Sequence, residues 1–93
     1  MKQFNWNPEK NEKLKQERGV SFEDVVSEIV GGGVLADTLH PSRANQRLFV
    51  VLINDYVHLV PYVQEGDEVF FKTIIPSRKA TKHYREGMYE KKV

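Results

Sequence analysis

Four apolar runs follow one another from residue 34 onward, and they constrain the fold more than any other feature of this 93-residue chain. They are rich in the strand-favouring residues Val, Ile, Leu, Phe and Tyr, and they span Val34–Leu39, Arg47–Asn54, Tyr56–Gln64 and Glu68–Pro76. Because the last two breaks between them are short enough for hairpins, the last three runs predict an antiparallel meander. Pro61 lies inside a run, which predicts that its strand lies at an edge of the sheet or carries a bulge there.

The residues before these runs predict a short strand and a surface helix. Gln3–Trp6 alternates polar and aromatic residues, which suits a strand with both aromatic rings on one face. Asn7 before Pro8 and an acidic residue is typical of a helix start, and Gly19 is typical of its end. Leu14 is the only apolar side chain in the body of this helix, so we expect the helix to lie on the surface.

A second, amphipathic helix is predicted to follow. Ser21 is its expected N-cap, and Asp24 completes an imperfect capping box. Apolar residues recur at the helical spacing i, i+3, i+4, i+7 and i+8, and they form one stripe toward the core: Phe22, Val25, Val26, Ile29 and Val30. The glycine run at residues 31–33 then ends the helix. It is not followed by the Lys-Ser/Thr pair of a P-loop, which disfavours a nucleotide-binding role.

The last quarter of the chain predicts a basic helix. Residues 72–93 hold seven Lys and Arg against two Asp and Glu, although the net charge of the whole chain is only +1. Ser77 is the expected N-cap of a helix that continues to about Glu90. The side chains expected to pack inward lie four residues apart, at Ala80, Tyr84 and Met88. Such a cluster of cations is typical of nucleic-acid binding, but a solvated face or a docking site for an acidic partner explains it equally well.

The elements follow one another in the order β-α-α-β-β-β-β-α. This order predicts a single α+β domain over residues 1–93, with helices packed against a small antiparallel sheet. The absence of Cys excludes disulfides, thiolate metal sites and Cys nucleophiles. The longest apolar run, Leu48–Ile53, is too short to cross a membrane, and the N-terminus lacks the apolar stretch of a secretory signal. We therefore expect a cytoplasmic protein with no membrane contact.

The histidines and the basic segment are the candidate chemical groups. His40, His58 and His83 are too scattered to predict a metal site, and a lone His is more often a packing or surface residue. No hydrolase elbow, kinase signature or dinucleotide motif is present. A strand carrying Lys72 leads into the basic helix, which predicts a phosphate-binding edge. RNA cleavage without a metal needs a base, an acid and cations that stabilise the charged transition state.

Three blocks of the sequence carry a resemblance to a known family. The blocks are Phe4-x-Trp6-Asn7-Pro8-x-Lys10, Gly19-Val20-Ser21-Phe22-Glu23-Asp24 and Ile75-x-x-Arg78-Lys79-Ala80-Thr81. Together they resemble the BrnT-type toxins of bacterial type II toxin–antitoxin systems, which are small ribonucleases with a RelE-like fold. Between the blocks, Asp37, His40 and Arg47 are similar in order to the family's strand-and-loop region.

The resemblance implies a RelE-like fold, ribonuclease activity and a cognate antitoxin, with DNA bound only through that antitoxin. Four positions depart from the family pattern and remove a histidine and a carboxylate that could serve in acid–base chemistry: Asn7, Glu17, Arg18 and Tyr84. These departures favour an alternative, a catalytically inactive module of the same fold that binds a partner protein or RNA. In a third interpretation the basic helix merely packs on the sheet and its charges are solvated.

The resulting hypothesis is a metal-independent ribonuclease toxin that needs no cofactor and acts on RNA. Arg78 and Lys79 are predicted to bind and stabilise the scissile phosphate, with His58 as the titrating group. His58 is preferred to the other histidines because a strand holds a side chain more rigidly than a loop does. The predicted RNA contacts are Lys72, Arg47, Lys82, His40, His83 and Arg85.

Overall fold

Residues 2–87 are described by a computed structural model, which contains three helices and six strands in that part of the chain. The helices are α1 (Pro8–Arg18), α2 (Phe22–Val30) and α3 (Arg78–Arg85). The strands are β1 (Gln3–Asn5), β2 (Val34–Leu39), β3 (Arg47–Ile53), β4 (Tyr56–Glu65), β5 (Glu68–Phe71) and β6 (Ile75–Pro76). The α+β class and the order of helices and strands are thus confirmed, except that the last predicted strand is divided into β5 and β6.

The strands form one sheet in the order β1-β5-β4-β3-β2, and β6 also pairs with β4. The predicted meander is confirmed, because β3, β4 and β5 are successively antiparallel, and β2 is antiparallel to β3. β1 departs from this pattern, since it lies parallel to β5. Asn54 and Asp55 both have positive φ in the turn between β3 and β4, as the tight two-residue hairpins require.

The strand predicted over Glu68–Pro76 is interrupted opposite Pro61. The register changes by one residue between β5 and β6, so that residues 72–74 face only residues 60–61 of β4 and form a bulge. Lys72 N donates to Pro61 O at 2.8 Å, but Pro61 has no N–H with which to complete the pair. The irregularity that Pro61 predicted therefore lies on the neighbouring strand, and β4 itself lies inside the sheet rather than at its edge.

The sequence signals for the ends of the first two helices are confirmed. Asn7 Oδ1 accepts hydrogen bonds from two amides in the first turn of α1, and Gly19 ends this helix with a left-handed φ of 67°. Ser21 and Asp24 exchange both bonds of a capping box at the start of α2. The glycines at 31–33 follow the last helical residue and separate α2 from β2, as expected.

The buried stripe of α2 is narrower than predicted. Phe22 and Val25 are fully buried, whereas Val30 is 77% exposed. The stripe residues between them are partly buried: Val26 and Ile29. At about 100° per residue, Val30 lies about 80° around the helix from Phe22, at the margin of the stripe. The i, i+8 spacing therefore included one residue that does not reach the core.

The helices cover opposite faces of the sheet. On one face, α1 and α2 pack over the larger core cluster, whose larger members include Leu14, Phe22, Phe49, Tyr62 and Phe71. Phe4 and Trp6 stack on rings of this cluster, which confirms that they share a face. On the other face, α3 packs through Ala80 against Val50 and Val57. The sheet thus separates the side chains of α1 and α2 from those of α3.

Asn11 makes a buried polar connection between α1 and α2. Its Oδ1 accepts from Phe22 N at 2.7 Å, and its Nδ2 donates to Glu23 Oε1 at 2.7 Å. The bond from Asn11 is the main reason why the pKa of Glu23 lies below its ordinary value. The prediction that α1 is a surface helix is correct for its charged residues, while Leu14 and Asn11 attach it to the core.

Replacing Asn11 with Ala should lower the free energy of unfolding by about 1–3 kcal/mol, because the buried amide of Phe22 loses its acceptor. Urea unfolding followed by circular dichroism measures the change. Asn5 is the matched control, since its Nδ2 donates to Glu68 Oε2 at 3.0 Å on the exposed surface. Asn5→Ala should change the free energy by less than about 0.5 kcal/mol. Equal losses in both variants would contradict the role assigned to Asn11.

Candidate nucleic-acid interface

The start of α3 is held on β4 by hydrogen bonds. Ser77 N donates to Val57 O at 2.9 Å, and Ser77 Oγ accepts from Ala80 N as the predicted N-cap. Thr81 Oγ1 accepts from Val57 N at 2.9 Å and donates to Ser77 O at 2.7 Å. Because Thr81 is almost fully buried, these bonds are shielded from water and determine where α3 lies on the sheet.

The inward face of α3 has the predicted spacing as far as the structure describes it. Ala80 is buried, and Tyr84 packs against the core cluster on this face of the sheet. The helix ends at Arg85 rather than continuing to about Glu90 as predicted, because Gly87 follows with a left-handed φ of 81°. Met88 lies outside the described residues. The cations of the opposite side are therefore carried by a helix of eight residues that is anchored at its first two turns.

A groove of about 770 Å³ follows the outer side of this helix, and we call it the α3 groove. Its lining residues are Tyr56, Arg78, Lys79, Thr81, Lys82, Arg85 and Glu86. All four cations are exposed, and Lys82 Nζ lies 4.0 Å from Glu86 Oε1. Within residues 2–87, no carboxylate lies within 4.0 Å of the charged groups of Arg78, Lys79 or Arg85. These cations are therefore accessible to an anionic ligand.

His58 lies on the face of the sheet that is opposite to α3. It pairs with Val51, whose side chain belongs to the core under α1 and α2. Its Nδ1 donates to Tyr56 O at 2.8 Å, since a carbonyl oxygen only accepts, and the residue is 5% exposed. Burial lowers the pKa of His58 from its ordinary 6.5. The bond to Tyr56 raises this pKa by less than burial lowers it, and the positive charge of Arg18 adds a small further lowering. The structure therefore does not bring His58 into the α3 groove.

Lys72 and His40 both line a hollow beside the bulge, and this hollow is separate from the α3 groove. This bulge hollow is lined by His40, Ser42, Arg43, Gln46, Pro61, Lys72, Thr73 and Ile75. Lys72 Nζ lies 5.6 Å from the centroid of the Phe70 ring, within the range of a cation–π contact. His40 Nδ1 accepts from the amides of Ser42 and Arg43 at 3.1 and 3.2 Å, which orders the loop between β2 and β3.

Arg47 is engaged by other side chains of the protein. Its Nε lies 3.2 Å from Asp37 Oδ1, and Tyr62 donates its hydroxyl to the same oxygen at 2.7 Å. Burial, together with this bond to Asp37, raises the pKa of Tyr62 to about 12. The three residues come from three adjacent strands, so the cluster joins β2, β3 and β4 on the face that α1 and α2 cover. Arg47 therefore has a structural role in joining these strands.

The predicted site residues are thus distributed over several places. The α3 groove collects Arg78, Lys79, Lys82 and Arg85. His83 is on the same helix but lines a smaller hollow between α3 and the sheet, to which Lys79 also contributes. The remaining predicted residues lie in the core, in the bulge hollow and in the Asp37 cluster: His58, Lys72, His40 and Arg47.

Three of the four positions that depart from the BrnT pattern have packing or hydrogen-bonding roles in this chain. Asn7 caps α1, and Tyr84 packs under α3. Arg18 Nη1 donates to Ile74 O at 2.9 Å and thereby ties the end of α1 to the bulged segment. Glu17 lines a hollow beside Arg18. Stability of the fold therefore accounts for at least the first three of these residues.

Tyr56 and Thr81 line the groove, although neither is among the predicted site residues. The sequence places Tyr56 at the start of a strand and Thr81 at the end of the third block that resembles BrnT-type toxins. The pairing of β4 with β6 brings the two residues together. It places residue 58 opposite residue 76, so the chain that follows β6 lies beside the start of β4, where Tyr56 is. The helical spacing gave an indirect signal for the position of Thr81, because this residue lies between the inward Ala80 and the outward Lys82.

Among residues 2–87 no group of three potential ligands is placed to hold a metal ion, and no helix there is long and apolar enough to span a membrane. Comparisons with protein-family models, with curated proteins and with solved structures find no match to this chain. Fold and site together define an α+β domain that presents an exposed basic helix.

Thr81→Val should remove the acceptor of the Val57 amide and lower the free energy of unfolding by about 1–3 kcal/mol. Hydrogen exchange followed by NMR provides the sharper readout, because protection of the Val57 amide should fall selectively. Thr81→Ser keeps the hydroxyl and should keep that protection. Loss of protection in both variants, or in neither, would contradict the proposed anchoring of α3.

The stability contributed by neutral His58 should depend on pH. Because its pKa is lower in the folded than in the unfolded chain, this contribution is complete above about pH 6.5 and is lost as the pH falls from there toward the folded pKa. Urea midpoints at about pH 7.5 and about pH 5.5 should therefore differ more in the wild type than in His58→Gln. An identical pH dependence in both proteins would show that His58 is not held neutral by burial.

Proposed function

We propose that this chain is a metal-independent ribonuclease that binds RNA in the α3 groove. The observation that carries the proposal is the row of exposed cations on α3, three of which have no carboxylate within 4.0 Å among residues 2–87. Guanidinium and ammonium groups are the usual partners of phosphate oxygens, and such contacts supply most of the affinity of a protein for a nucleic-acid backbone. The groove runs beside a helix whose cations are exposed, and a polymer can follow such a surface.

In this proposal Arg78 and Lys79 contact the scissile phosphate. The RNA 2′-oxygen attacks phosphorus and loses its proton to a base, while the bond from phosphorus to the 5′-oxygen breaks and that oxygen takes a proton from an acid. Arg78 suits the transition state because its planar fork donates two parallel hydrogen bonds to phosphate oxygens. Lys82 and Arg85 contact neighbouring phosphates along the same face of the helix.

Two residues that line the groove can transfer protons. Glu86 and Tyr56 line the groove and offer a carboxylate and a phenol. His58, which the sequence favoured for this role, is 5% exposed and belongs to the other face of the sheet. Proton transfer by His58 therefore requires a rearrangement that exposes its ring to the RNA.

We further propose that the protein is the toxin of a type II toxin–antitoxin pair and acts in the cytoplasm. The support is the resemblance to BrnT-type toxins, whose C-terminal block coincides here with β6 and the first turn of α3. A cognate antitoxin would inhibit the enzyme by covering the α3 groove, and complementary charge would favour an acidic covering segment. DNA contact would come only through that antitoxin.

A catalytically inactive module that binds RNA or a partner protein is the second candidate. The observation that favours it is the absence of a histidine among the described residues that line the α3 groove. This alternative predicts an affinity for RNA that falls steeply with salt, without any cleavage of the bound strand.

Arg78→Ala should slow RNA cleavage by the purified protein about a hundredfold, because the transition state loses a positioned donor. Cleavage of total RNA is followed on gels in the presence of EDTA, and circular dichroism confirms that the variant is folded. Lys15→Ala is the control for charge, since Lys15 lies on α1 and already pairs with Glu12 at 3.3 Å. It should cleave RNA like the wild type.

The same variants give a matching result in cells. Induced wild-type protein should arrest bacterial growth with loss of RNA, and Arg78→Ala should not. Cleavage by Arg78→Ala at the wild-type rate, or wild-type cleavage that EDTA abolishes, would contradict the proposed mechanism. RNA binding without cleavage by the wild type would instead establish the second candidate.

A further inference from the structure

A second cationic surface lies along the edge of the sheet at the bulge. β1 pairs only with residues 68–70, so the segment that follows, residues 72–76, has β4 on one side and no strand on the other within the described residues. The bulge hollow and a hollow beside α1 adjoin along this segment, because Thr73 and Ile75 line both. The cations around this segment come from α1, from the loop after β2 and from the segment itself.

Five Lys and Arg residues line the two hollows; Arg18 donates to Ile74 O, and the other four are not neutralised by a neighbouring carboxylate. They are Lys10, Lys13, Arg43 and Lys72, and within residues 2–87 none has a carboxylate oxygen within 4.0 Å. Glu17 is the one carboxylate among the described residues that line either hollow. We call this group of four cations, together with Thr73 and Ile75, the edge surface. It therefore carries a net positive charge independent of α3.

The edge surface also offers neutral donors and an apolar contact. Thr73 N–H has no backbone hydrogen-bond partner within the described part of the chain, because the bulge removes it from the ladder with β4. Thr73 lines both hollows, and Ser42 lines the bulge hollow, where its hydroxyl oxygen lies 3.4 Å from His40 Nδ1. Backbone amides, hydroxyls and Lys or Arg side chains are the donors that proteins use on phosphate and sugar oxygens. Ile75 is 42% exposed and can contact a sugar or a base.

We infer that the edge surface binds the backbone of the same single-stranded RNA that occupies the α3 groove. This inference rests on the proposed function and extends the site to include residues on α1. β6 connects the two surfaces, and the five residue-to-residue steps from Thr73 to Arg78 span at most about 18 Å. One strand of RNA that follows this edge can therefore contact both surfaces. An acidic polypeptide is the competing ligand, but the free amide and the hydroxyls match the oxygens of a sugar–phosphate backbone.

The salt dependence of RNA binding tests this inference. The probe is a fluorescent single-stranded RNA of about 16 nucleotides with 2′-O-methyl groups, which removes the attacking hydroxyl and prevents cleavage. A variant that makes one fewer ion pair with phosphate should reduce the slope of log K against log salt by about 0.7. Lys13→Gln and Lys72→Gln should each show this reduction. Lys15→Gln is the matched control on α1, because it removes one charge of the same kind from a lysine already paired with Glu12.

A second arm uses the same probe shortened to about 2 nucleotides, which is too short to contact both surfaces at once. Lys13→Gln and Lys72→Gln should then weaken binding of the long probe and not that of the short one. If Lys15→Gln lowers the slope as much as they do, net charge explains the effect and the inference fails. If only α3 variants such as Arg85→Gln lower the slope, RNA binds the α3 groove alone, and the proposed function survives without the edge surface.

Two further outcomes separate the inference from the function on which it rests. If the wild type binds neither probe, both the proposed function and the edge surface are overturned. If poly-glutamate binds more tightly than RNA, and Lys13→Gln and Lys72→Gln weaken only that binding, the edge surface is a site for an acidic protein, and the inference is overturned.

Discussion

The two hydrogen bonds that join Val57 to Ser77 and Thr81 determine where the basic helix lies. The bond from Ser77 extends the pairing of β4 with β6 by one residue, and the bond to Thr81 joins β4 to the first turn of α3. Because Thr81 also bonds to Ser77, the helix start and the strand are one connected unit. The α3 groove exists because this unit places Tyr56, at the beginning of β4, beside the outward side chains of α3.

Elements whose signals are local could be predicted from the sequence. Such local features are the caps of α1 and α2, the apolar stripe of α2 and the β3–β4 hairpin. Each depends on residues that lie close together in the chain. The division of the last strand could not be predicted in the same way. Pro61 lies on β4, and its missing N–H interrupts the neighbouring strand, so the effect is seen only once the two strands are paired. The parallel β1–β5 pair likewise joins residues that are far apart in the chain.

The residues of the candidate site also divide into those that local sequence signals predict and those whose position depends on strand pairing. The cations of α3 lie within eight residues, so the helical period alone predicts that they share a surface. The position of His58 depends on which face α3 covers, and that is determined by the register of β4 and β6. Arg47 is bound by Asp37 and Tyr62 because three strands align, which no spacing in the sequence indicates.

This distribution has a consequence for the chemistry. Charge stabilisation and proton transfer require groups within reach of the same phosphate. The buried His58 does not line the groove that collects the exposed cations, although its ring lies 5.8 Å from that of Tyr56, which does. In the proposed mechanism the α3 groove therefore supplies the contacts to phosphate. Glu86 and Tyr56 are the groups at hand for moving a proton.

The central claim is that RNA contacts the outer side of α3. NMR amide shifts of the protein, recorded as uncleavable single-stranded RNA is added, test this claim most directly. The account predicts that the largest shifts fall on Arg78–Arg85 and on Tyr56, and that added salt reverses them. Shifts that leave α3 unchanged and fall on α2 or β2 instead, or no shifts at all, would contradict it.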